Sequence, residues 1–152
     1  MEAAPAALQF IECPCSSTWG VRLRQIGVSQ QGMDDSELYR QARDRMDGGD
    51  PAGAVDLFAA SVAVYPHFKA LELWGECLLR LGRYREAVVP LAAATALNRQ
   101  PRAPGMLAEA FLALGEHGRA VQFADEALAR APGNRAALAV RSAALPHLGP
   151  EA

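Results

Sequence analysis

The sequence predicts an all-α protein built as a stack of antiparallel helix pairs. Three observations predict it: an internal repeat with a step of 33 residues, apolar residues at helical spacing within each copy, and a glycine at the same point of every copy. Hydrophobic residues make up 51% of the chain but aromatic residues only 7%. Much of the apolar content is therefore alanine, which favours helices and lets them pack closely.

The repeat is defined by columns of residues 33 positions apart. Gly49, Gly82 and Gly115 form one column. Other columns agree in size and polarity, namely Ala42, Gly75 and Ala108; Ala54, Ala87 and Ala120; Phe58, Leu91 and Ala124; and Ser61, Ala94 and Ala127. Chance can produce one such column but hardly all of them. We therefore predict three copies, at about 34–66, 67–99 and 100–133.

Each copy reads as two helices. The first helices are predicted at 35–47, 68–81 and 102–114, and the second at 51–64, 84–97 and 117–130. In the second helix of the first copy, apolar residues at helical spacing predict one buried face. That face comprises Ala54, Leu57, Phe58, Ser61, Val62 and Tyr65. One helix pair cannot bury its apolar face alone, so neighbouring pairs must stack.

Capping residues mark the helix starts. Asp34 and Glu37 have the spacing of a capping box. Asp50 followed by Pro51 is typical of an N-cap and a first helical position.

The repeat glycines, Gly49, Gly82 and Gly115, are expected to end the first helices in a left-handed conformation. Pro66 and Pro132 are expected to follow second helices. Pro90 falls inside a second helix, where it removes a hydrogen bond at a cost of about 3 kcal/mol unless something compensates. We predict a kink near Glu86 and no break.

The two ends of the chain differ from the repeats. Residues 1–33 have a different composition, so the domain boundary is placed near Met33. This N-terminal extension is predicted to be disordered, to fold over the first repeat, or to have no function. Residues 134–149 are predicted to form a half-repeat or capping helix, over 135–148. Its apolar content leaves open that it docks on a partner or on a second copy of the chain.

At these columns the sequence resembles the tetratricopeptide repeat family. The third copy carries the resemblance best, and the residues at the family's spacing are Leu107, Ala108, Phe111, Gly115, Ala120, Ala124, Ala127 and Pro132. The second copy matches through Trp74, Gly75, Leu78, Gly82, Tyr84, Ala87, Leu91 and Ala94, but has Arg99 where the family usually has proline. The first copy matches least, because Gln41 and Arg45 occupy slots that are usually apolar.

The resemblance implies a right-handed superhelical α-solenoid with a concave groove, lined by the first helices, that binds a peptide or another protein. The groove positions would be Tyr39, Arg43, Met46, Lys69, Glu72, Glu76, Leu79, Arg102, Glu109 and Leu112. Their charges are mixed in sign. Some family members hold a chaperone's C-terminal carboxylate with Asn and Lys in this groove. The corresponding helices here lack those asparagines, so we do not expect that clamp.

The sequence offers little for catalysis. Three cysteines do not form a disulfide framework, and Cys13 and Cys15 provide too few ligands for a zinc site. His67, His117 and His147 have no ligand spacing. We expect no metal, no cofactor and no enzyme activity.

Charge and hydropathy exclude other classes. The net charge of −2 does not favour nucleic-acid binding. No apolar run approaches the ~20 residues of a membrane helix, and the N-terminus does not resemble a signal peptide. The expected location is the cytoplasm.

The leading hypothesis is therefore an interaction adaptor or scaffold that binds a partner in the groove. One alternative is a substrate-recruiting subunit or fragment of a larger enzyme system. A second alternative is a self-associating structural unit, a homodimer formed through the C-terminal helix.

Overall fold

The computed structural model describes residues 34–149. The predictions for the first 33 residues, including the boundary near Met33, lie outside the described residues. Seven α-helices and one short 3₁₀ helix follow in order: α1 (Asp35–Asp47), α2 (Pro51–Val64), α3 (Phe68–Arg80), α4 (Tyr84–Leu97), α5 (Arg102–Ala113), α6 (His117–Arg130), α7 (Arg135–Ala144) and the 3₁₀ helix Leu145–His147. No strand occurs among these residues.

The helices pack in chain order. Within each pair, α1 packs on α2, α3 on α4, and α5 on α6. Successive pairs are joined by the contact of α2 with α3 and the contact of α4 with α5. At the end of the stack, α7 packs against α6 and α5. The predicted all-α stack of helix pairs is confirmed.

The final helix is shorter than predicted. Instead of running over 135–148, α7 ends at Ala144, and Leu145–His147 form a 3₁₀ helix. Pro146 contributes to the difference, because proline has no N–H to continue the hydrogen bonds of the α-helix. α3 and α5 also end one residue before the predicted bounds.

Small residues lie where the two helices of each pair approach each other. Ala42, Ala54, Ala87, Ala108 and Ala120 are all 0% exposed. Larger apolar side chains, including Phe58, Leu78, Leu91 and Leu107, complete the core beside them. The prediction that the columns of small residues allow close approach is confirmed.

The three repeat glycines have the predicted left-handed conformation. Gly49, Gly82 and Gly115 have φ values of 81°, 71° and 75°. Their amides donate to carbonyls of the preceding turn, as in Gly82 N–H to Leu79 O at 3.0 Å. A side chain would be strained at each of these positions.

Two local predictions about side chains are wrong. Asp34 is the N-cap of α1, but its side chain makes no capping hydrogen bond. The Glu37 side chain accepts from Arg40 and Gln41 and does not complete a capping box. Tyr65 does not share the buried face of α2. The helix ends at Val64, and the extended backbone of Tyr65 turns its side chain outward, 59% exposed.

Two other local features fit the sequence. The Asp50 side chain accepts from the Gly53 amide at 2.8 Å and caps α2. α4 is continuous through Pro90, whose side chain is buried. No break occurs there, as predicted, while the kink near Glu86 stays a prediction.

Candidate functional site

The ten residues predicted for the groove lie on α1, α3 and α5, the first helices of the three pairs. We call this set the first-helix face. Arg43, Arg102 and Glu109 are exposed, and Glu72 is buried. The half-buried members are Tyr39, Met46, Lys69, Glu76, Leu79 and Leu112.

Ion pairs join four of these residues on the central part of the face. Lys69 Nζ lies 3.4 Å from Glu72 Oε2 within α3. Arg102 of α5 donates to Glu76 Oε2 of α3 at 2.5 Å. The second pair connects α3 with α5, the first helices of two successive helix pairs.

The carboxylates of these pairs lie deeper than the cations. The side chains of Glu72 and Glu76 are 1% and 16% exposed, whereas those of Lys69 and Arg102 are 41% and 46% exposed. Long Lys and Arg stems allow the charged group to reach solvent while the stem covers its partner. The burial of Glu72 therefore leaves almost none of its side chain accessible to a ligand.

On α1 the predicted residues have different neighbours. The ring of Tyr39 packs edge-on against Phe58 of α2, with centroids 5.9 Å apart. Arg43 forms a long ion pair with Asp47, 3.8 Å. Tyr39 is therefore partly a packing residue, and its remaining surface is available to a ligand.

Arg80 belongs to the same charge network but was missed from the sequence. It donates to Glu76 Oε1 at 2.6 Å, so Glu76 bridges Arg80 and Arg102. The signal was present, because Glu76 and Arg80 are four residues apart, a spacing at which helical side chains pair.

The structure also brings together two histidines that the sequence separates. The rings of His117 and His147 stack with centroids 4.2 Å apart and planes inclined by 15°. His117 Nδ1 is buried without a hydrogen-bond partner. Nothing in the spacing of these two residues predicted the contact, which packs the 3₁₀ helix against the start of α6.

Cys77 in α3 has the features of a structural thiol. Its side chain is fully buried. Burial raises the pKa of this thiol to about 11, so the reactive thiolate form is rare near neutral pH. Cys77 therefore lacks the usual properties of a catalytic nucleophile.

Two features are absent from residues 34–149. No group of three or more His, Cys, Asp and Glu side chains in this part of the chain is placed to hold a metal ion. Within the same residues, no helix combines the length and apolar character needed to cross a membrane.

A family model described as tetratricopeptide repeat matches residues 39–105 and 91–135, more than half of the chain. No curated protein sequence matches the chain.

Solved structures with the same fold include peptide complexes. The first tetratricopeptide domain of Spaghetti (RPAP3) bound to an HSP90 peptide is 20% identical, has a TM-score of 0.70, and covers 80% of this chain and 97% of that domain. The TPR2B domain of yeast Sti1 in a complex with Hsp70 is 19% identical, with a TM-score of 0.69 and coverage of 77% and 100%. The Yersinia enterocolitica type III secretion chaperone SycD with a peptide of the translocator YopD is 19% identical, with a TM-score of 0.67 and coverage of 74% and 92%.

Proposed function

Since the chain belongs to the tetratricopeptide repeat family, we propose that it is a protein-interaction adaptor that binds a peptide or partner protein along the first-helix face. The observation that carries the proposal is the mixture of groups on this face. Half-buried apolar side chains lie on each of the three first helices: Tyr39, Met46, Leu79 and Leu112. Ion pairs with exposed cations lie on α3 and α5.

This mixture suits a polypeptide ligand. Partly exposed apolar side chains gain free energy when a ligand covers them, about 25 cal/mol per Å² of apolar surface. The exposed Lys69 and Arg102 provide N–H donors at the border of the face, where they can bond carbonyl or carboxylate oxygens. Because each cation already faces a glutamate, the face as a whole is not strongly charged.

The related structures support the same use of the fold. Three of them are complexes with an HSP90 peptide, with Hsp70 and with a translocator peptide. We propose only the general property for this chain, which is peptide or protein binding on the first helices. No catalytic role is part of the proposal.

We also propose that the chain works in the cytoplasm. The buried Cys77 is a free thiol in the described part of the chain, and free thiols are typical of reducing compartments.

The test is affinity capture followed by direct binding measurements. The chain is used as bait, captured proteins are identified by mass spectrometry, and the best candidate is purified and titrated by calorimetry. Leu79→Ser and Leu112→Ser should weaken that binding about tenfold or more, equivalent to about 1.4 kcal/mol. The matched control is Val89→Ser on α4, a second helix, whose side chain is 71% exposed.

The outcomes decide between the proposals. Binding that falls in the first-helix variants and not in the Val89→Ser control supports the adaptor function. Equal affinity in all variants, or no specific partner, contradicts it. Should the partner be an enzyme that needs this chain to act on its substrate, the substrate-recruiting alternative is supported instead.

A further inference from the structure

We propose that Arg43 of α1 and Lys69 of α3 bind an anionic side chain of the ligand, a carboxylate or a phosphate, on the first-helix face. This inference rests on the proposed function, because it assigns the chemistry of one part of that face. It starts from a charge pattern that repeats along the stack and changes between α1 and α3. At the change, two cations occupy positions that hold a glutamate and an arginine on the following helices.

The pattern is established between α3 and α5. Glu76 of α3 accepts from Arg102 of α5 at 2.5 Å. Its other carboxylate oxygen accepts from Arg80, one turn later in α3, at 2.6 Å. A further 33 residues along the chain, the positions of Glu76 and Arg102 hold Glu109 on α5 and Arg135 on α7. A glutamate on one first helix is thus followed by an arginine on the next in both of these intervals.

Between α1 and α3 the glutamate is replaced by an arginine. One repeat before the bridged pair, the same two positions hold Arg43 and Lys69. Arg43 lies 3.8 Å from Asp47 of its own helix. Lys69 lies 3.4 Å from Glu72 of its own helix. Neither of these contacts crosses from α1 to α3, and two positive charges on neighbouring helices repel each other.

An anion supplied by the ligand can take the place of the missing glutamate. The Arg43 side chain is 53% exposed, and that of Lys69 is also partly exposed. A guanidinium has five N–H donors and an ammonium has three. The 3.8 Å contact with Asp47 is too long for a hydrogen bond, so the Arg43 donors remain available.

Burial makes the cations, and not their neighbours, the groups that a ligand meets at Lys69. The Glu72 side chain is almost completely buried, so it offers a ligand little negative charge. A carboxylate or phosphate that reaches both Arg43 and Lys69 would form charge-assisted hydrogen bonds, which are stronger than neutral ones. It would join α1 to α3 as Glu76 joins α3 to α5.

NMR titration of the full chain with inorganic phosphate, and separately with sodium acetate, tests the site. Sodium chloride at the same ionic strength is the reference, because it screens charges without offering a carboxylate or phosphate. We expect saturable shifts of the Arg43 and Lys69 signals. Saturation by both anions indicates that a carboxylate side chain suffices, and saturation by phosphate alone indicates a phosphorylated side chain. No saturable shift with either anion overturns the proposal.

A charge swap provides a variant with unchanged net charge. Arg43→Glu with Asp47→Arg gives α1 the charges that Glu76 and Arg80 have in α3. The carboxylate introduced at position 43 should pair with Lys69. Anion affinity should therefore fall about tenfold or more, the loss expected for one hydrogen bond to a charged group.

The matched control is Arg85→Gln, at an exposed arginine of α4 that lies outside the first helices. It should leave anion affinity unchanged. Circular dichroism confirms that each variant is folded. Unchanged affinity in the charge-swap protein, or an equal loss in the control, overturns the proposal.

This test is separate from the test of the adaptor function. A partner whose binding depends on Leu79 and Leu112 but is unchanged in the charge-swap protein would support the adaptor function and overturn the anionic ligand. Saturable anion binding at Arg43 and Lys69 without any protein partner would support the anion site and contradict the adaptor function.

Discussion

A Cβ atom built on Gly75 of α3 would lie 2.4 Å from Cγ of Leu91 on α4. Leu91 is fully buried, so it has little room to move away. The same two columns hold Ala42 with Phe58 in the first pair and Ala108 with Ala124 in the third, and all four residues are 0% exposed. In the second pair glycine lies in the column opposite leucine, and in the third pair alanine lies in the column opposite alanine.

Gly75→Ala should therefore destabilise the protein. Overpacking a buried site costs about 1–3 kcal/mol. The higher helix propensity of alanine offsets about 1 kcal/mol of that cost. We expect a net loss of up to about 2 kcal/mol in the free energy of unfolding, measured by urea denaturation.

Two further variants make this prediction specific. Gly118→Ala on α6 should be neutral or stabilising, because its Cβ would meet only Leu148 Cδ2 at an ordinary 3.9 Å. Combining Gly75→Ala with Leu91→Ala recreates the pair of the third repeat, and it should cost less than the two single changes added together. Additive costs would show that Gly75 and Leu91 do not interact in this way.

Arg130 should contribute more to stability than an exposed arginine of the same chain. Its guanidinium donates to the carbonyl oxygens of Asn98 and Gln100 at 2.9 and 3.1 Å, joining α6 to the turn after α4. Hydrogen bonds from a charged group contribute about 1.5–3 kcal/mol, so Arg130→Met should lower the unfolding free energy measurably.

The control for this change is Arg119→Met. The Arg119 side chain is 64% exposed and forms a surface ion pair with Glu116, an interaction worth about 0–1 kcal/mol. Thermal unfolding measures the loss of stability in each variant relative to the unmodified protein. A larger loss from Arg119→Met would contradict the role assigned to Arg130.

Cys77 should be protected from alkylation in the folded protein. In a Cys13→Ser, Cys15→Ser background, iodoacetamide should label Cys77 slowly near neutral pH and rapidly in denaturant. Its folded pKa of about 11 is above the ordinary value of 9.0, so the unfolded chain loses this proton first. The stability contributed by the protonated thiol is therefore present below pH 9 and lost as the pH rises towards 11. Rapid labelling of the folded protein at pH 7 would contradict this prediction.

A chaperone-tail peptide should not bind tightly. The HSP90 peptide SRMEEVD is bound by the first tetratricopeptide domain of Spaghetti. α1, α3 and α5 contain no asparagine to hold a C-terminal carboxylate. Calorimetric titration of the peptide into the chain should show no binding at micromolar concentrations. Tight binding would show that other groups of the first-helix face replace the asparagines.

The sequence predicted the helices closely because the signals are local and repeated three times. Gly49, Gly82 and Gly115 mark the ends of first helices through a backbone conformation that glycine adopts readily. Helical periodicity then defined the buried faces. The end of α7 was predicted less well. The apolar pattern continues to Leu148, but α7 ends at Ala144, just before the 3₁₀ helix that contains Pro146.

The candidate site was predictable only in part. The resemblance predicted groove positions on the first helices, including Glu76 and Arg102. It did not show that these two side chains, 26 residues apart, form one ion pair between neighbouring helix pairs. It also did not show that Glu72 is buried while Lys69 remains accessible. How deeply a side chain is buried, and which side chain it forms an ion pair with, depend on how one helix pair packs on the next.

By itself, then, the sequence determined the number of helices in residues 34–149, their order and the small residues at which they approach, because these follow from spacing along one chain. Only the tertiary structure decided the contacts between distant residues. It stacked His117 on His147, bonded Arg130 to the backbone near Asn98, and left Leu138 and Leu145 exposed. The physical reason is that local spacing fixes the face of a helix, whereas exposure and pairing depend on which neighbour covers that face.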